Sequence, residues 1–388
     1  MSRVAAGIGA SEVADARTAG REAAANALGE LAGASPALVI VYCSIRYDFA
    51  ELLAGIHELT GETPLVGATS CGHFFDGRLV DAGEGVAVLV LSTGDYHFGV
   101  ASVTNVTGRG VAAGRELAES AKGAAGDVRL DHAAVLLLAD GLQPEQQTLI
   151  NGIYAFSGVK VPVVGGAAAD DRQLTGTKVF HGDQVLSDAA VAVWIDSPRP
   201  LTVAVAHGWT AQGLPMLVTR ADGPIIYEIG GRPSSQVMEE QFRPAEAEAA
   251  DDEGADRWYS AHALGLVEPD GSMLVRGVYR DPEGLMRTLV PVPAYAAVQV
   301  VTADADALLD VTETVANNAL ENTDPGVLLG FSCVARLDIL RDRSPEEPGL
   351  LQKAAGAART FGFFTYGEFA RTKSVAGVHN ATLTAIAL

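Results

Sequence analysis

Cys71 stands in Thr69-Ser70-Cys71-Gly72-His73, a thiol two residues from an imidazole. A thiol beside a base can become a nucleophile. The spacing is i,i+2 and no third orienting group is evident, so a small buried side chain lining a pocket is the preferred reading, with no catalytic residue expected. A zwitterionic ligand would ask for a different set. Arg336, just after Phe331-Ser332-Cys333, is a candidate two-pronged carboxylate clamp. Glu368 and Asp170 are candidate ammonium partners. Each has a plainer alternative: an ion pair for Arg336, and hydrogen bonds to backbone amides for Glu368. Asp170 and Asp171 are adjacent, and neighbours on a strand point to opposite faces, so they make a poor acid/base dyad; Asp171 reads as a turn or cap. His181, His207 and His379 each follow an apolar residue. No HxH or HxxxH spacing supports a metal, and none is expected. Trp209 and Tyr366 could wall an apolar or cationic ligand. Neither a GxxxxGK[ST] nor a GxGxxG follows a strand, so no nucleotide cofactor is expected.

The elements that must position these residues read as α/β. An Ala- and Glu-rich stretch over 11–32 predicts a helix, and Ala37–Tyr42 a buried strand. A helix over 49–59 and a strand from Leu65 follow. Residues 85–91 and 98–103 read as a hairpin around Gly94. Strand–helix–strand then recurs at 133–139, 145–154 and 161–164, and again at 326–331, 348–359 and 361–364. The fold class is therefore mixed sheets built from repeated β-α-β units. First strands end at Cys43-Ser44, Ala139-Asp140 and Ser332-Cys333. Second strands run into Thr69-Ser70-Cys71-Gly72, Gly165-Gly166-Ala167-Ala168-Ala169-Asp170 and Thr365-Tyr366-Gly367-Glu368. Ligands of α/β sheets sit outside the carboxyl ends of strands. Thr69, Ser70, Cys71, Gly165, Gly166, Asp170, Ser332, Cys333, Tyr366 and Glu368 are thus candidate ligand-binding residues, with plain turns as the alternative for the glycines.

Between the repeats, short strands are expected at 217–219, 225–228, 274–279 and 289–292, and helices at 233–242 and 305–319. Residues 244–256 form an acidic loop that could dock a partner. Two domains are expected, 1–205 and 206–388.

The chain has 388 residues, 48% hydrophobic and 19% charged, enough to bury a sizeable core. Its net charge of −21 disfavours a nucleic-acid backbone or an anionic membrane surface as partner. Three cysteines without a CxxC fit a reducing compartment. No signal peptide is expected at Met1–Ala10, and no run of about 18 apolar residues predicts a membrane span. A cytoplasmic protein is expected.

Several stretches resemble the FIST sensory domains: GGAAADD at 165–171, VFHGDQVLSDAAV at 179–191, AHGWTAQG at 206–213, VTRADGPIIYEIGGRP at 218–233, GFFTYGEFA at 362–370 and VHNATL at 378–383. The resemblance spans nearly the whole chain. It implies a cytoplasmic small-molecule sensor in signal transduction, with amino acids as proposed ligands, and it adds His207, His379 and Asn380 to the candidate ligand-binding residues. FIST proteins often carry fused output domains. Residues 1–388 leave no room for one, so a separate signalling partner is expected, and a homo-oligomer is compatible. The competing readings are a hydrolase or transferase using Cys71 with His73 or Glu368, and a scaffold acting through the acidic loop.

Overall fold

The computed structural model describes residues 3–388 except 129, 243–260, 269–270, 282, 322 and 372–375. The acidic loop expected at 244–256 lies outside the described residues.

One series of elements occurs three times. The first unit is β1 (Ala6–Ser11), α1 (Ala16–Gly29), β2 (Leu38–Cys43), α2 (Phe49–Thr60), β3 (Leu65–Thr69), the hairpin β4 (His73–Phe75) and β5 (Arg78–Val80), then β6 (Val86–Leu91). The second repeats that order as β7 (His97–Thr104), α3 (Gly110–Ala124), β8 (His132–Ala139), α4 (Gln146–Ser157), β9 (Val163–Ala167), β10 (Val179–His181), β11 (Gln184–Leu186) and β12 (Ala189–Ser197). The third opens with β13 (Val203–Ala206) and is interrupted by an inserted antiparallel sheet. That sheet holds β14 (Thr210–Asp222), β15 (Ile225–Ile229), β16 (Arg232–Pro233), β17 (His262–Val267), β18 (Met273–Arg280), β19 (Met286–Thr288) and β20 (Ala297–Thr302), with the helix α5 (Ser234–Gln241). The unit resumes with α6 (Ala305–Leu320), β21 (Val327–Cys333), α7 (Val334–Leu340), α8 (Glu346–Ala355), β22 (Arg359–Thr365), β23 (Glu368–Arg371), β24 (Ala376–His379) and β25 (Leu383–Ala387).

Each unit organises a six-stranded sheet in the same strand order: β1-β6-β2-β3-β10-β11, then β7-β12-β8-β9-β23-β24, then β13-β25-β21-β22-β4-β5. The terminal hairpin of each sheet belongs to another unit. The first unit lends its hairpin to the third, the third to the second, and the second to the first, so the exchange closes a ring. At its centre three backbone hydrogen bonds repeat. Cys71 N–H donates to Phe364 O at 3.1 Å, Ala169 N–H to Thr69 O at 2.9 Å, and Tyr366 N–H to Ala167 O at 3.2 Å. This register makes Cys71, Ala169 and Tyr366 equivalent positions. Gly72-His73-Phe74 thus matches Gly367-Glu368-Phe369, and Ser70 is the counterpart of Thr365.

Strands β2, β8 and β21 are apolar on both faces because each is covered twice. In β2, Val39, Val41 and Cys43 meet α1 and α2. Leu38, Ile40 and Tyr42 face a central core filled from all three sheets, where Tyr42 stacks on Phe363 at 4.2 Å. Asp15 and Asp48 cap α1 and α2 by accepting from Thr18 and Glu51 N–H. The two helices meet through glycines: a Cβ on Gly20 would stand 2.2 Å from Leu52 O, and one on Gly55 2.1 Å from Arg17 O. Gly114 and Gly152 repeat that contact between α3 and α4.

Four local expectations differ. Residues 6–11 are a strand ahead of a shorter helix, because Gly7 and Gly9 let β1 lie against α1, where Cβ atoms would meet the carbonyls of Ala27 and Ala23 at about 2 Å. Strands β6 and β7 form no hairpin; the turn at Gly94 passes the chain from one sheet to the next. Residues 289–292 follow β19 rather than forming a strand, and the helix expected at 348–359 is α8, preceded by α7. Among the described residues, no helix is long and apolar enough to cross a membrane.

Candidate ligand-binding site

The strand ends do converge, but they close on one another. Thr69, Ser70, Cys71, Asp170, Ser332, Cys333 and Glu368 are buried. Gly165 and Gly166 serve packing rather than an open cradle: a Cβ would meet Leu137 O at 1.9 Å and Thr365 Cγ2 at 2.5 Å, respectively. Thr69 Oγ1 accepts from Lys178 N–H, and Ser70 Oγ contacts the Cys43 carbonyl and His73 Nδ1. The Cys71 sulfur accepts from Arg172 N–H at 3.2 Å and borders Tyr366. Burial pushes its thiol up to about 11, while His73, buried against Ser70, is pushed down to about 3. The thiol is thus neither paired with that imidazole nor poised as a thiolate, which corrects the Cys71/His73 nucleophile reading.

Arg336 is corrected as a ligand clamp. It is fully buried, with Nε donating to Glu347 Oε2 at 2.7 Å and Nη2 donating to Glu347, Leu308 O and Thr312. Ser332 Oγ completes that cluster on Glu347. Glu368 is corrected as an ammonium partner. Its carboxyl is sealed among Thr365, Thr382 and Cys333, and burial raises it to about 7. Asp170 is likewise occupied. It accepts from the N–H groups of Leu174, Thr175 and Gly176 and from the Tyr366 hydroxyl. Asp171 accepts from Ser44, Ile45 and Gly83.

These two carboxylates hold a loop whose backbone is left-handed at Asp171 (φ 50°), Arg172 (φ 66°) and Leu174 (φ 53°). Non-glycine residues adopt that region at a cost, and it persists only where surroundings enforce it. The loop delivers Arg172 and Leu174 to a cavity of ≈ 400 Å³. The segment 141–147 after β8 forms one wall. Val334, Asp338, Tyr366 and Val378 of the third unit form another, and Leu289, Val290 and Pro291 of the insertion cover it. The lining is mostly apolar with a few polar groups, as small-molecule sites are. Tyr366 links the cavity to the hub behind it through Asp170. Arg172 is paired with Asp338. Gln143 is 6% exposed; its Oε1 accepts from Glu145 N–H, and its Nε2 has no partner among the described residues.

Tyr366 is the expected residue that opens on this cavity. Arg172, Gln143 and Asp338 were not singled out as ligand residues from sequence. The Asp170-Asp171-Arg172 run was the available signal, since two carboxylates that fix a loop also fix the arginine after them.

His207, Trp209 and His379 line a second cavity, between the insertion and the third unit. His207 Nδ1 accepts from Trp209 N–H at 2.9 Å, its ring also bonds the Met273 backbone, and the indole N–H donates to Ala381 O at 3.0 Å. These two residues therefore pin the start of the insertion to the ring, a structural role in place of the expected ligand contact. Asn380 is buried with both side-chain polar atoms unpartnered among the described residues. No cluster of three or more His, Cys, Asp or Glu suited to a metal occurs among the described residues.

Comparison with known proteins finds relatives along nearly the whole chain. An uncharacterized protein of Mycobacterium tuberculosis strain H37Rv is 29% identical over 97% of this chain and 96% of its own length. One from Mycobacterium bovis is 27% identical with the same coverage. One from Methanocaldococcus jannaschii is 23% identical over 51% of this chain and 39% of its own length. The FIST N domain model matches residues 37–232 and the FIST C domain model residues 236–371. The chain belongs to the FIST family, whose domains are associated with sensory signal transduction.

Proposed function

We propose that this protein is a cytoplasmic small-molecule sensor whose ligand occupies the ≈ 400 Å³ cavity and whose output passes to a separate signalling protein. The observation that carries the reading is Gln143, which lines the same cavity as the Arg172–Asp338 ion pair and whose buried Nε2 has no partner among the described residues. A buried donor left unmade is costly, and a ligand acceptor relieves that cost. An amino acid with an apolar side chain fits the set. Its carboxylate takes Arg172 and Gln143, its ammonium takes Asp338, and its side chain lies against Leu142, Val290 and Val334. Arg172 and Asp338 hold each other until a zwitterion exchanges with both. Such a ligand would also tie the insertion to the second and third units, which gives binding a structural consequence to transmit.

The test is native mass spectrometry of the purified protein, then thermal-shift screening against the amino acids. A ligand at a hundred times its Kd should add about 2.7 kcal/mol of stability. Gln143→Leu should weaken binding roughly tenfold, the worth of one hydrogen bond to a charged group. No bound mass and no shift with any amino acid would reject the reading.

A further inference from the structure

The second cavity, ≈ 570 Å³, lies directly behind the first across β24. Val378 and His379 are neighbours on that strand and face opposite sides, so one lines each cavity. His379 is 3% exposed. Its ring donates one N–H to the Ala370 carbonyl, and its Nε2 has no partner among the described residues. Burial, with Arg276 and His207 adding to it, pushes the imidazole down to about 4, so at neutral pH Nε2 is a bare acceptor. Glu268 and Asp310 line the same cavity, and Asp310 is exposed on α6. The charges behind the wall are Arg276, which faces Glu268 and His379, and Arg336, which is held by Glu347.

The accepting groups of this wall are thus an imidazole nitrogen and two carboxylates, one of them offset by Arg276. They do not converge on one point as metal ligands would. An occupant must carry positive charge and N–H donors, and must be long enough to reach separated acceptors. We propose that this cavity is a second binding site, for a small aliphatic amine: an ammonium end on Asp310 and Glu268, an N–H on His379 Nε2, and an alkyl body against Met273 and Leu274.

The site is read by isothermal titration and thermal shift of the full chain at neutral pH and low salt, with 1,4-diaminobutane, n-butylamine and sodium butyrate as probes. Saturable binding of the amines and none of butyrate is expected. Asp310→Asn, on the exposed face of α6, should weaken amine binding about fivefold, the size of one partly exposed charge pair. His379→Phe removes the Nε2 acceptor and should weaken amine binding about fivefold, the worth of one hydrogen bond, while the carboxylates keep the preference for amine over butyrate; if that variant fails to fold, Asp310→Asn together with Glu268→Gln decides. Arg172→Met, in the first cavity, should leave amine affinity unchanged, and Asp310→Asn should leave amino-acid binding unchanged, so the two sites fail separately. Absence of saturable amine binding at millimolar concentration, or amine affinity indifferent to Asp310→Asn and Glu268→Gln, overturns the proposal.

Discussion

Replacing Glu368 by glutamine should make this protein more stable at alkaline pH and equally stable in mild acid. The reason lies in a chain of hydroxyls. Thr365 Oγ1 stands 3.2 Å from the Ser332 carbonyl oxygen, which only accepts, and 2.5 Å from Glu368 Oε1. One hydroxyl proton cannot serve both. A protonated Glu368 resolves the conflict: Oε1–H donates to Thr365, and Thr365 donates to Ser332. Glu368 Oε2 then accepts from Thr382 N–H at 3.1 Å and Oγ1–H at 2.8 Å. Burial without a cation favours the same neutral form, raising the carboxyl from 4.5 to about 7. A carboxyl raised in the folded state contributes stability below pH 4.5, where both states hold the proton. That contribution is lost as pH rises to about 7 and stays lost above it. At about 1.4 kcal/mol per tenfold change in proton affinity, the loss is about 3 kcal/mol by pH 8. Glutamine presents an N–H₂ where the carboxyl presents O–H, keeps the acceptor for Thr382, and cannot ionise. Urea unfolding of both proteins from pH 4.5 to 8 should show a difference near zero at the acid end, growing to about 3 kcal/mol in favour of the variant. A variant less stable than wild type at pH 8, or a difference that does not change with pH, would refute the reasoning.

Two other changes address packing and buried charge. Gly362→Ala should destabilise by at least about 2 kcal/mol in urea unfolding, because its Cβ would stand 2.1 Å from Gly330 O and 2.3 Å from Phe74 Cζ. Gly123→Ala on α3, where the new methyl meets nothing within 4 Å, should instead stabilise by about 0.5–1 kcal/mol, and equal effects at the two sites would contradict the contacts described. Glu347→Gln should cost about 3–5 kcal/mol by stranding the Arg336 guanidinium inside the protein, and a loss under about 1 kcal/mol would show that Arg336 reaches water or another anion.

The repeat was legible in the sequence because each unit carries its own signals. Strands such as Ala133–Ala139 are continuous apolar runs, and small residues recur where each second strand ends. The hairpin exchange was not legible. His73–Phe75 follows β3 in the chain yet pairs with β22, and nothing in a three-residue strand states its partner. The insertion splits the third unit, so His207 and Trp209 read as ligand candidates when they form the link between β13 and β14 that ties the insertion to the ring. Arg336 and Glu368 were misread for a common reason. Sequence shows a charge but not its burial: Arg336 Nε and Nη2 are taken by Glu347, Leu308 O and Thr312, and Glu368 by Thr365 and Thr382. Gln143 carries no motif at all; only the turn after β8, fixed by its own Glu145 N–H, makes it a donor without a partner among the described residues.

The ring also explains why a ligand site falls where symmetry breaks. At the hub, the positions of Cys71, Ala169 and Tyr366 are equivalent, and backbone bonds tie each to the neighbouring unit. Only the tyrosine extends beyond this junction. It lines the cavity and donates its hydroxyl to Asp170. The insertion covers that side of the ring with Leu289–Pro291, and the Asp170–Asp171 loop brings Arg172 to meet it. A cavity needs a roof as well as a floor, and the unit that carries the insertion is the one that supplies it. The three-fold core thus supplies the frame, while the departures from it (one tyrosine, one strained loop and one inserted sheet) line the cavity.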